Sequence, residues 1–454
     1  MADLAGELAT TLGAHDDEAR TRLIVDTLAE AFAELMTEAP AAFRNKFRKM
    51  AAEPFAFYRG SAALYYADVA RLDDPWVDER TRRVWIQGDL HAENFGTYLD
   101  GDGVLVFDVN DFDEAYVGPW TWDLRRLVAS VALLGWSKAF SDADIDALNA
   151  AYLRGYLDAV RSFSGGSGER EFALTRRNTD GPIHLALQRA RERSRRGLLD
   201  ALTEIEGEDR VFRAGPGVRR LDDDERAEVV AAYEAYLDTI PPAQRWPDPA
   251  YVVHDVVGRS GFGIGSAGLP AYNVLIEGPT EALDNDIVLS MKQAVRAAPS
   301  RVVDDPDVAG SFHHHGHRTA LSRRALQAHA DRLLGWTAMR GVGYVVSELS
   351  PYENDLDWDD LTEPRELRDV LHHLGRATAR AHCVSDADAE AGLVTTQVED
   401  AVLAVVGEGE DAFVDDLVGF GRAYAAVVRD DHRRFVEAFR ADRVPGVSAT
   451  EESL

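Results

Sequence analysis

Apolar residues recur at helical spacing over long parts of the chain. Between positions 16 and 50, Leu23, Ile24, Leu28 and Phe32 follow one another at intervals of one or four residues, as on one face of a helix. The same spacing predicts further helices, over residues 61–72, 120–134, 142–160, 185–206, 222–239, 319–336, 367–383 and 397–442.

Shorter apolar runs that lie between turn residues predict strands. In the first half of the chain these runs are residues 84–86 and 104–107. Beyond Pro241 and Pro242 they become frequent, at residues 251–257, 271–277, 287–293 and 343–349. We therefore expect an α+β protein with a mainly helical part and a β-rich part.

The prolines over residues 241–247 break the helical pattern and predict a domain boundary. A chain of 454 residues is long enough for more than one domain with a sizeable core. We expect a helical lobe over 1–245, a β-rich lobe over 246–350, returning helices of the helical lobe over 351–445, and a disordered tail over 446–454.

The net charge excludes one class of partner. The formal charge is −30 and is spread along the chain, which indicates a solvated acidic surface like that of salt-adapted proteins. It argues against nucleic-acid binding, which needs basic patches to neutralise phosphates. Nearly all basic residues are arginine, and the lysines are Lys46, Lys49, Lys138 and Lys292.

Cysteine usage and hydropathy indicate a cytoplasmic protein. Cys383 is the only cysteine, so an internal disulfide is excluded and a reduced compartment is expected. The first twenty residues lack the basic start and apolar run of a signal peptide. The apolar stretch over 127–136 is far too short to cross a membrane, so we expect no membrane partner.

Polar residues concentrate at the ends of the first two predicted strands. Burying so many carboxylates without partners is costly, so cations or a hydrogen-bonded network must compensate them. A solvated acidic loop is the simpler interpretation, but functional sites are often built at strand ends. The residues concerned are Asp89, His91, Glu93 and Asn94 after the first strand, and Asp108, Asn110, Asp111, Asp113 and Glu114 around the end of the second.

The spacing of Asp89, Asn94 and Asp111 resembles the phosphotransfer core of the protein-kinase-like superfamily, and most closely that of aminoglycoside and choline phosphotransferases. The resemblance implies that Asp89 is catalytic, with His91 of the same motif beside it. It implies that Asn94 and Asp111 bind Mg²⁺. The further candidates from this stretch are Asp108 and Asp113 as additional metal ligands, and Asp123 as the aspartate of the Asp-Leu pair that follows.

A glycine-rich hairpin precedes a strand that carries Lys292. Glycines let backbone N–H groups approach phosphates closely, and a lysine on the adjoining strand can neutralise them. A dinucleotide-binding turn would need a helix directly after the glycines, whereas a strand is predicted there. The candidate nucleotide-binding residues are Gly263, Gly265, Ser266, Gly268 and Lys292.

Two further features have competing interpretations. Arg59, in an aromatic setting, is either part of a structural ion pair or a contact of the phosphate or catalytic loop. The histidines within residues 311–317 form either a polar loop, which we favour, or a metal-binding cluster.

Taken together, these motifs are similar to those of the bacterial and archaeal family called domain of unknown function 2252, placed in the kinase-like superfamily. The resemblance implies a two-lobe kinase-like fold, circularly permuted because the catalytic stretch precedes the glycine-rich hairpin. In the family pattern a glutamate that pairs with Lys292 falls near Leu321, which cannot do so, and Glu348 is the alternative partner. The carrying motifs are Phe57-Tyr-Arg-Gly60, Gly88-Asp-Leu-His-Ala-Glu-Asn-Phe-Gly96, Phe107-Asp-Val-Asn-Asp-Phe-Asp-Glu114, Trp122-Asp-Leu124, Gly263-Ile-Gly-Ser266, Lys292 and Leu334-Gly-Trp336.

We therefore expect an ATP- and Mg²⁺-dependent phosphotransferase whose acceptor is a small molecule or a protein. Three alternatives stay open: transfer of AMP to a protein, ATP binding without catalysis, and a two-metal phosphoesterase. The last would use Asp89-Leu-His91, but the Gly-Asn-His that accompanies such sites is missing from the sequence. The sequence leaves the oligomeric state open.

Overall fold

The structure, a computed structural model, describes residues 4–166, 168–259, 268–327, 329–387 and 392–450. Helices and strands both occur along the chain, so the α+β class is confirmed. The helices are α1 (Leu4–Thr11), α2 (Asp17–Glu38), α3 (Pro40–Met50), α4 (Pro54–Gly60), α5 (Ala62–Val69), α6 (Thr121–Ser137), α7 (Asp142–Phe163), α8 (Gly168–Glu171), α9 (Gly181–Arg191), α10 (Arg195–Leu202), α11 (Asp223–Leu237), α12 (Pro306–Gly310), α13 (His315–Leu326), α14 (Pro364–Cys383), α15 (Val398–Val406) and α16 (Glu410–Arg440).

The strands form one large sheet and three small ones. The large sheet is antiparallel, with strand order β11-β12-β10-β9-β8-β7, and the small sheets are β1-β4, β13-β2-β3 and β5-β6. The strands are β1 (Val84–Ile86), β2 (Phe95–Leu99), β3 (Leu105–Val109), β4 (Tyr116–Gly118), β5 (Thr203–Glu206), β6 (Asp209–Phe212), β7 (Val218–Arg220), β8 (Val253–Arg259), β9 (Ala271–Ile276), β10 (Ile287–Gln293), β11 (Gly335–Met339), β12 (Val342–Glu348) and β13 (Asn354–Asp355).

Strand pairing brings the two polar segments of the first half together. The end of β1 pairs with the start of β4, at Ile86 and Tyr116. The start of β2 pairs with the end of β3, at Phe95 and Val109. The loop over 87–94 and the turn over 110–115 therefore lie side by side.

Helices from both ends of the chain pack in one core around these strands. A Cβ atom at Gly375 of α14 would lie 2.1 Å from the carbonyl oxygen of Tyr152 in α7, and one at Gly155 would lie 2.2 Å from the carbonyl oxygen of His372. The absence of side chains at these glycines allows the two helices to cross closely. Residues after 364 thus complete the helical body that residues 121–163 begin.

The large sheet is covered on one face by α11. Buried Tyr233 and Tyr236 of that helix pack against Val274 of β9 and Leu289 of β10. The sheet includes β7, which precedes the prolines at 241–242 and pairs with β8. The β-rich unit of the structure therefore draws residues from both sides of position 245.

Two helix predictions are wrong at their ends. Residues 203–206 form β5, which pairs with β6 across a turn in which Gly207 has a φ of +69°. The helix predicted over 319–336 ends at Leu326, and residues 335–336 belong to β11. In both places pairing with a neighbouring strand overrides the local helical spacing.

Two structural facts concern the expected absence of a membrane partner and the segment over residues 446–454. Within the described ranges, no helix combines the length and the apolarity that a membrane span requires. Part of the segment expected to be a disordered tail is described and packed, because Val447 is buried and the carbonyl oxygen of Ser448 accepts from Nε of Arg44.

Candidate functional site

Asp123 anchors the backbone of the loop that follows β1. Its carboxylate accepts the N–H groups of Gln87, at 2.6 Å, and of Gly88, at 3.0 Å. A ring nitrogen of His382 lies 3.2 Å from the same carboxylate, and Asp123 is 1% exposed. This aspartate therefore connects α6 and α14 to the start of the loop. It fixes the position of the backbone directly before Asp89.

Gly88 makes the close approach of the loop and the acidic turn possible. Its φ is +84°, and a Cβ atom there would lie 2.0 Å from the carbonyl oxygen of Glu114. A left-handed φ is costly for other residues, and this contact leaves no room for a side chain. The backbone conformation and the close packing thus require glycine at position 88.

Arg126 fixes the Asp89 carboxylate at the wall of a cavity. Its Nε donates to Oδ1 of Asp89 at 2.7 Å, and its Nη2 donates to the same oxygen. The guanidinium lies over the rings of Tyr58 and Tyr65, 4.4 and 4.9 Å from their centroids. Burial raises the pKa of Asp89 to about 7, with Arg126 opposing the shift and Glu114 adding to it. Asp89 is thus a carboxyl group that exchanges its proton near neutral pH.

His91 is buried next to Asp89. Its Nε2 lies 3.9 Å from Oδ2 of Asp89, which is too long for a hydrogen bond, and Phe55 contacts the ring edge to face. Burial holds the pKa of His91 well below its usual range, and Arg59 and Arg126 lower it further. The imidazole is therefore neutral, and its Nδ1 has no hydrogen-bond partner among the described residues.

Asn94 and Asp111 lie beside Asp89, as the strand pairing requires. Nδ2 of Asn94 donates to the backbone carbonyl of Asp89 at 2.9 Å, and the N–H of Asn110 donates to the carbonyl of Asn94 at 3.0 Å. Asp111 has a φ of +52°, and Nε2 of Gln87 donates to its carbonyl oxygen. Aspartate is one of the few residues that adopt this left-handed conformation readily.

The carboxylates of the turn are the candidate ligands for a divalent cation. Asp111 is accessible to solvent within the cleft. Desolvation by the surrounding protein nevertheless raises the pKa of Asp111; the charge of Asp113 raises it further, and the charge of Lys292 opposes the increase. Asn94, Asp111 and Asp113 line one cavity and offer the oxygen ligands that Mg²⁺ prefers. A cation bound there would relieve the repulsion between the two carboxylates.

Lys292 reaches the turn from the large sheet. In β10 it is aligned with Ala271 of β9 and Val345 of β12, and its Nζ donates to Oδ2 of Asp113. Burial disfavours the lysine charge, but Asp113 and Asp111 outweigh this effect and raise the pKa of Lys292. The ammonium group is therefore charged and lies at the junction of the sheet and the helical body.

The helix that was expected to supply a glutamate supplies an arginine instead. Arg318, one turn before Leu321 on α13, donates from Nη1 to the carbonyl of Ala115 and from Nη2 to the carbonyl of Asp113, both at 2.6 Å. Glu348 is paired with Arg195 at 2.8 Å. The structure thus gives Lys292 the partner Asp113, and α13 fixes the backbone of that partner.

Other candidate residues lie elsewhere or outside the described residues. Asp108 is paired with Arg380, and Tyr98 donates to it at 3.2 Å, so it is held away from the metal candidates. Gly268 is described, with a φ of +78°. Gly263, Gly265 and Ser266 lie outside the described residues.

Arg59 and the histidine cluster have local roles as well. Arg59 forms an ion pair with Glu93 at the rim of the site. His314 caps α13, because its side chain accepts the N–H of His317 at 3.1 Å.

Two adjoining cavities meet at the acidic turn. The smaller cavity, about 650 Å³, is lined by Asn94, Lys292 and residues of the large sheet. The larger cavity, about 890 Å³, is lined by Asp89 and by residues of α2, α3 and the segment over 293–301. Asp111, Asp113 and Arg59 line both, so the turn forms the wall between them.

Several residues of the site were not identified from the sequence. Arg126 lies one helical turn after Asp123, and Arg318 one turn before Leu321, so helical spacing from the recognised positions would have found both. Gln87 and Lys46 carry no comparable signal. Their roles depend on pairing and packing between distant elements.

Comparison with known proteins identifies the family. Residues 38–438 match the model of the family described as "Uncharacterized protein conserved in bacteria (DUF2252)", and the chain belongs to this family. No curated protein and no solved structure matches the chain.

Proposed function

We propose that this protein is an ATP- and Mg²⁺-dependent phosphotransferase of the kinase-like superfamily that acts on a hydroxyl acceptor. The contact between Lys292 and Asp113 carries the proposal, because it joins the lysine strand to the turn that holds Asp111. Asn94 and Asp89 adjoin that turn. A lysine, two metal ligands and a carboxylate base are the parts that kinase-like phosphoryl transfer uses.

The two cavities divide the substrates between them. Lys292 would neutralise nucleotide phosphates in the smaller cavity, and Asn94 and Asp111 would hold Mg²⁺, which supplies further charge neutralisation. The acceptor would occupy the larger cavity, with its hydroxyl group next to Asp89. The shared wall would then be the place where the phosphoryl group passes from one cavity to the other.

Asp89 is suited to take the proton of the acceptor hydroxyl. A general base is most effective when its pKa lies near the working pH, and burial raises the pKa of Asp89 to about 7. Arg126 holds one carboxylate oxygen, so the other is left for the acceptor. In such a transfer the acceptor proton would move to Asp89 as the acceptor oxygen bonds to the γ-phosphorus of ATP, and ADP would leave with the electrons of the broken bond.

Asp113 compensates for the leucine at the expected glutamate position. A lysine that binds phosphates must be held in place, and Asp113 does this from the acidic turn instead of from a helix. Arg318 in turn fixes the backbone of Asp113. The departure at Leu321 therefore does not argue against activity.

We infer that the fold is a circularly permuted two-lobe kinase-like fold. The large sheet lies between α7 and α14 in the sequence, although these helices cross at Gly155 and Gly375. If the chain began near β8, the order would be lysine strand, then α14, then the loop with Asp89. That is the order in which an ordinary kinase-like chain presents these parts.

Labelled ATP tests the proposal and separates the alternatives. The wild type with Mg-ATP should release γ-labelled phosphate or transfer it to an acceptor, and Asp111→Ala should abolish this turnover. Asp73→Ala, at an exposed aspartate outside the site, is the matched control. Unchanged turnover in Asp111→Ala would contradict the proposed phosphotransferase site.

Three other results would identify the alternatives. Transfer of the α-label to protein would establish AMP transfer, and tight Mg-ATP binding without turnover would establish a non-catalytic binding protein. Hydrolysis of a phosphate ester with Mn²⁺ and no ATP would establish the two-metal phosphoesterase.

A further inference from the structure

Three basic side chains line the larger cavity and form no short ion pair with a carboxylate of the described residues; the nearest carboxylate, that of Glu30, lies 3.8 Å from Arg301. We propose that Lys46, Arg296 and Arg301 form an anion-binding subsite beside Asp89, and that the acceptor therefore carries a carboxylate or phosphate group in addition to its hydroxyl. The subsite stands on its own geometry, whereas its assignment to the acceptor rests on the proposed function. The three residues are called the basic subsite below.

Lys46 is the strongest member of the basic subsite. It is 4% exposed, lines the larger cavity, and lies with its Nζ 4.0 Å from the centroid of the Phe32 ring. Within the described ranges, its ammonium group has no hydrogen-bond acceptor and no ion-pair partner. Burying a charge is costly unless it is paired, so this position favours an anionic ligand.

The protonation of Lys46 fits that role. Burial lowers the pKa of Lys46 to about 8, with Glu114 and Asp89 opposing the shift. The group is therefore still mainly charged at neutral pH. The chain has only four lysines, so the presence of one in a buried position that faces a cavity is unusual.

Two arginines face the same cavity. The polar contacts of Arg296 are with the hydroxyl and the carbonyl of Ser300, at 3.4 and 3.3 Å. Arg301 donates to the carbonyl of Ala31 at 3.1 Å and lies 3.8 Å from Glu30, which is 81% exposed and screened by solvent. The two guanidinium groups repel one another, which an anion between them would relieve.

The carboxylates of the cavity do not account for the basic subsite. Asp89 is paired with Arg126 and Asp113 with Lys292. The carboxylate of Glu114 accepts the N–H of Ala298 and attracts Lys46 across the cavity, but among the described residues it forms no ion pair with a member of the basic subsite. The glutamates of α2 at the mouth of the cavity are exposed. In a chain with a net charge of −30, three basic side chains therefore line one cavity without an ion-pair partner as close as those of Asp89 and Asp113.

The chemistry of the basic subsite defines the ligand class. Guanidinium groups bind the oxygens of carboxylates and phosphates in pairs, and an ammonium group adds a point charge. Binding the anionic end of an acceptor there would orient its hydroxyl toward Asp89 and reduce the entropy cost of the reaction. The acceptor class is thus a hydroxylated anion, either a hydroxy acid or a phosphate ester.

Calorimetric titration of the full chain with simple anions tests the inference. Sodium phosphate and sodium acetate are the probes, glycerol is the neutral control, and sodium chloride keeps the ionic strength constant. Lys46→Met removes the ammonium group and keeps a side chain of similar length. Lys49→Met, at an exposed position one turn further along α3, is its matched control. The double variant Arg296→Gln with Arg301→Gln tests the subsite without altering a buried residue.

Wild type should bind at least one probe anion, and Lys46→Met and the double variant should each bind it about 10-fold more weakly or worse. Lys49→Met should bind it as wild type does. Binding of phosphate alone would assign phosphate esters, and binding of acetate as well would include hydroxy acids. Anion binding that is absent, or that is lost in Lys292→Ala and retained in Lys46→Met, would overturn the inference.

Mg-ATP binding, measured on the same samples, separates the two proposals. Anion binding through Lys46 in a chain that does not bind Mg-ATP would support the subsite and contradict the proposed function. Mg-ATP binding without Lys46-dependent anion binding would do the reverse. Unchanged Mg-ATP affinity in Lys46→Met would also show that the variant is folded.

Discussion

Lys292 and Asp113 form an ion pair although 179 residues separate them along the chain. The lysine belongs to the large antiparallel sheet, and the aspartate belongs to the turn between β3 and β4. Their contact joins the sheet to the helical body at the wall shared by two cavities. The proposed phosphotransfer site lies at this junction.

Activity should depend on the ionisation of Asp89. Because the pKa of Asp89 is about 7 and its charged form is the base, turnover should rise as the pH increases through that value. Asp89→Asn should lower kcat by roughly 10²- to 10⁴-fold and leave Mg-ATP binding intact. Steady-state kinetics across pH 5.5–8.5 measure both effects.

The matched control for Asp89→Asn is Asp73→Asn, which changes an exposed aspartate and should behave as wild type. A flat pH profile near pH 7, or an Asp89→Asn variant with wild-type kcat, would remove Asp89 from the mechanism.

Arg126 acts as a positioning residue for Asp89. Arg126→Lys keeps the positive charge but loses the fork that donates twice to one carboxylate oxygen, so kcat should fall by about tenfold or more. Weaker stabilisation of the carboxylate should also move the acid limb of the pH profile to higher pH. A purely structural role would lower the stability without shifting that limb.

Two glycines with similar backbone angles should respond differently to alanine. Gly88 has a φ of +84° and no space for a Cβ atom, whereas Gly103 has a φ of +79° and open space around it. Gly103→Ala should cost about 1 kcal/mol of unfolding free energy through its backbone alone. Gly88→Ala should cost several times more, because the carbonyl of Glu114 must move. Urea denaturation of both variants compares them, and equal losses would contradict the packing of loop against turn.

The acidic surface should make stability depend on salt. Repulsion within a chain of formal charge −30 is screened as the Debye length falls from about 10 Å at 0.1 M salt to about 3 Å at 1 M. The thermal midpoint should therefore rise by roughly a few degrees over that range. Sucrose stabilises proteins by exclusion, so only the rise in excess of an osmolarity-matched sucrose series reports on screening. A midpoint that is constant or falls with salt would show that the acidity is not adaptive.

The elements of the fold were largely readable from the sequence because their apolar patterns are local. The strands at 84–86 and 287–293 each contain a run of apolar residues that can be identified without reference to the rest of the chain. Strand β5 was predicted as the end of a helix and β6 was not predicted, because the two segments become strands only by pairing with each other. Strand propensity is decided largely by such partners.

The residues of the candidate site could be proposed one by one from the sequence, but the contacts between them could not. The preference for Asp111 over Asp108 agrees with the strand boundary: Asp108 lies within β3 and is held by Arg380, whereas Asp111 lies beyond the end of β3. The partner of Lys292 was not predictable, because no local pattern relates a strand lysine to a turn so distant in sequence. The same holds for Lys46, whose significance appears only in the cavity that it faces.

Thermal unfolding with and without Mg-ATP shows whether Lys292 and the acidic turn form a Mg-nucleotide site. The proteins are wild type, Lys292→Ala and the control Lys49→Ala, whose lysine is exposed. A ligand at about 100 times its Kd adds about 2.7 kcal/mol to the unfolding free energy, which is roughly a few degrees in a chain of this size. We expect this shift in wild type and Lys49→Ala and its loss in Lys292→Ala. Equal shifts in all three proteins, or none in wild type with Mg-ATP in excess, would contradict such a site.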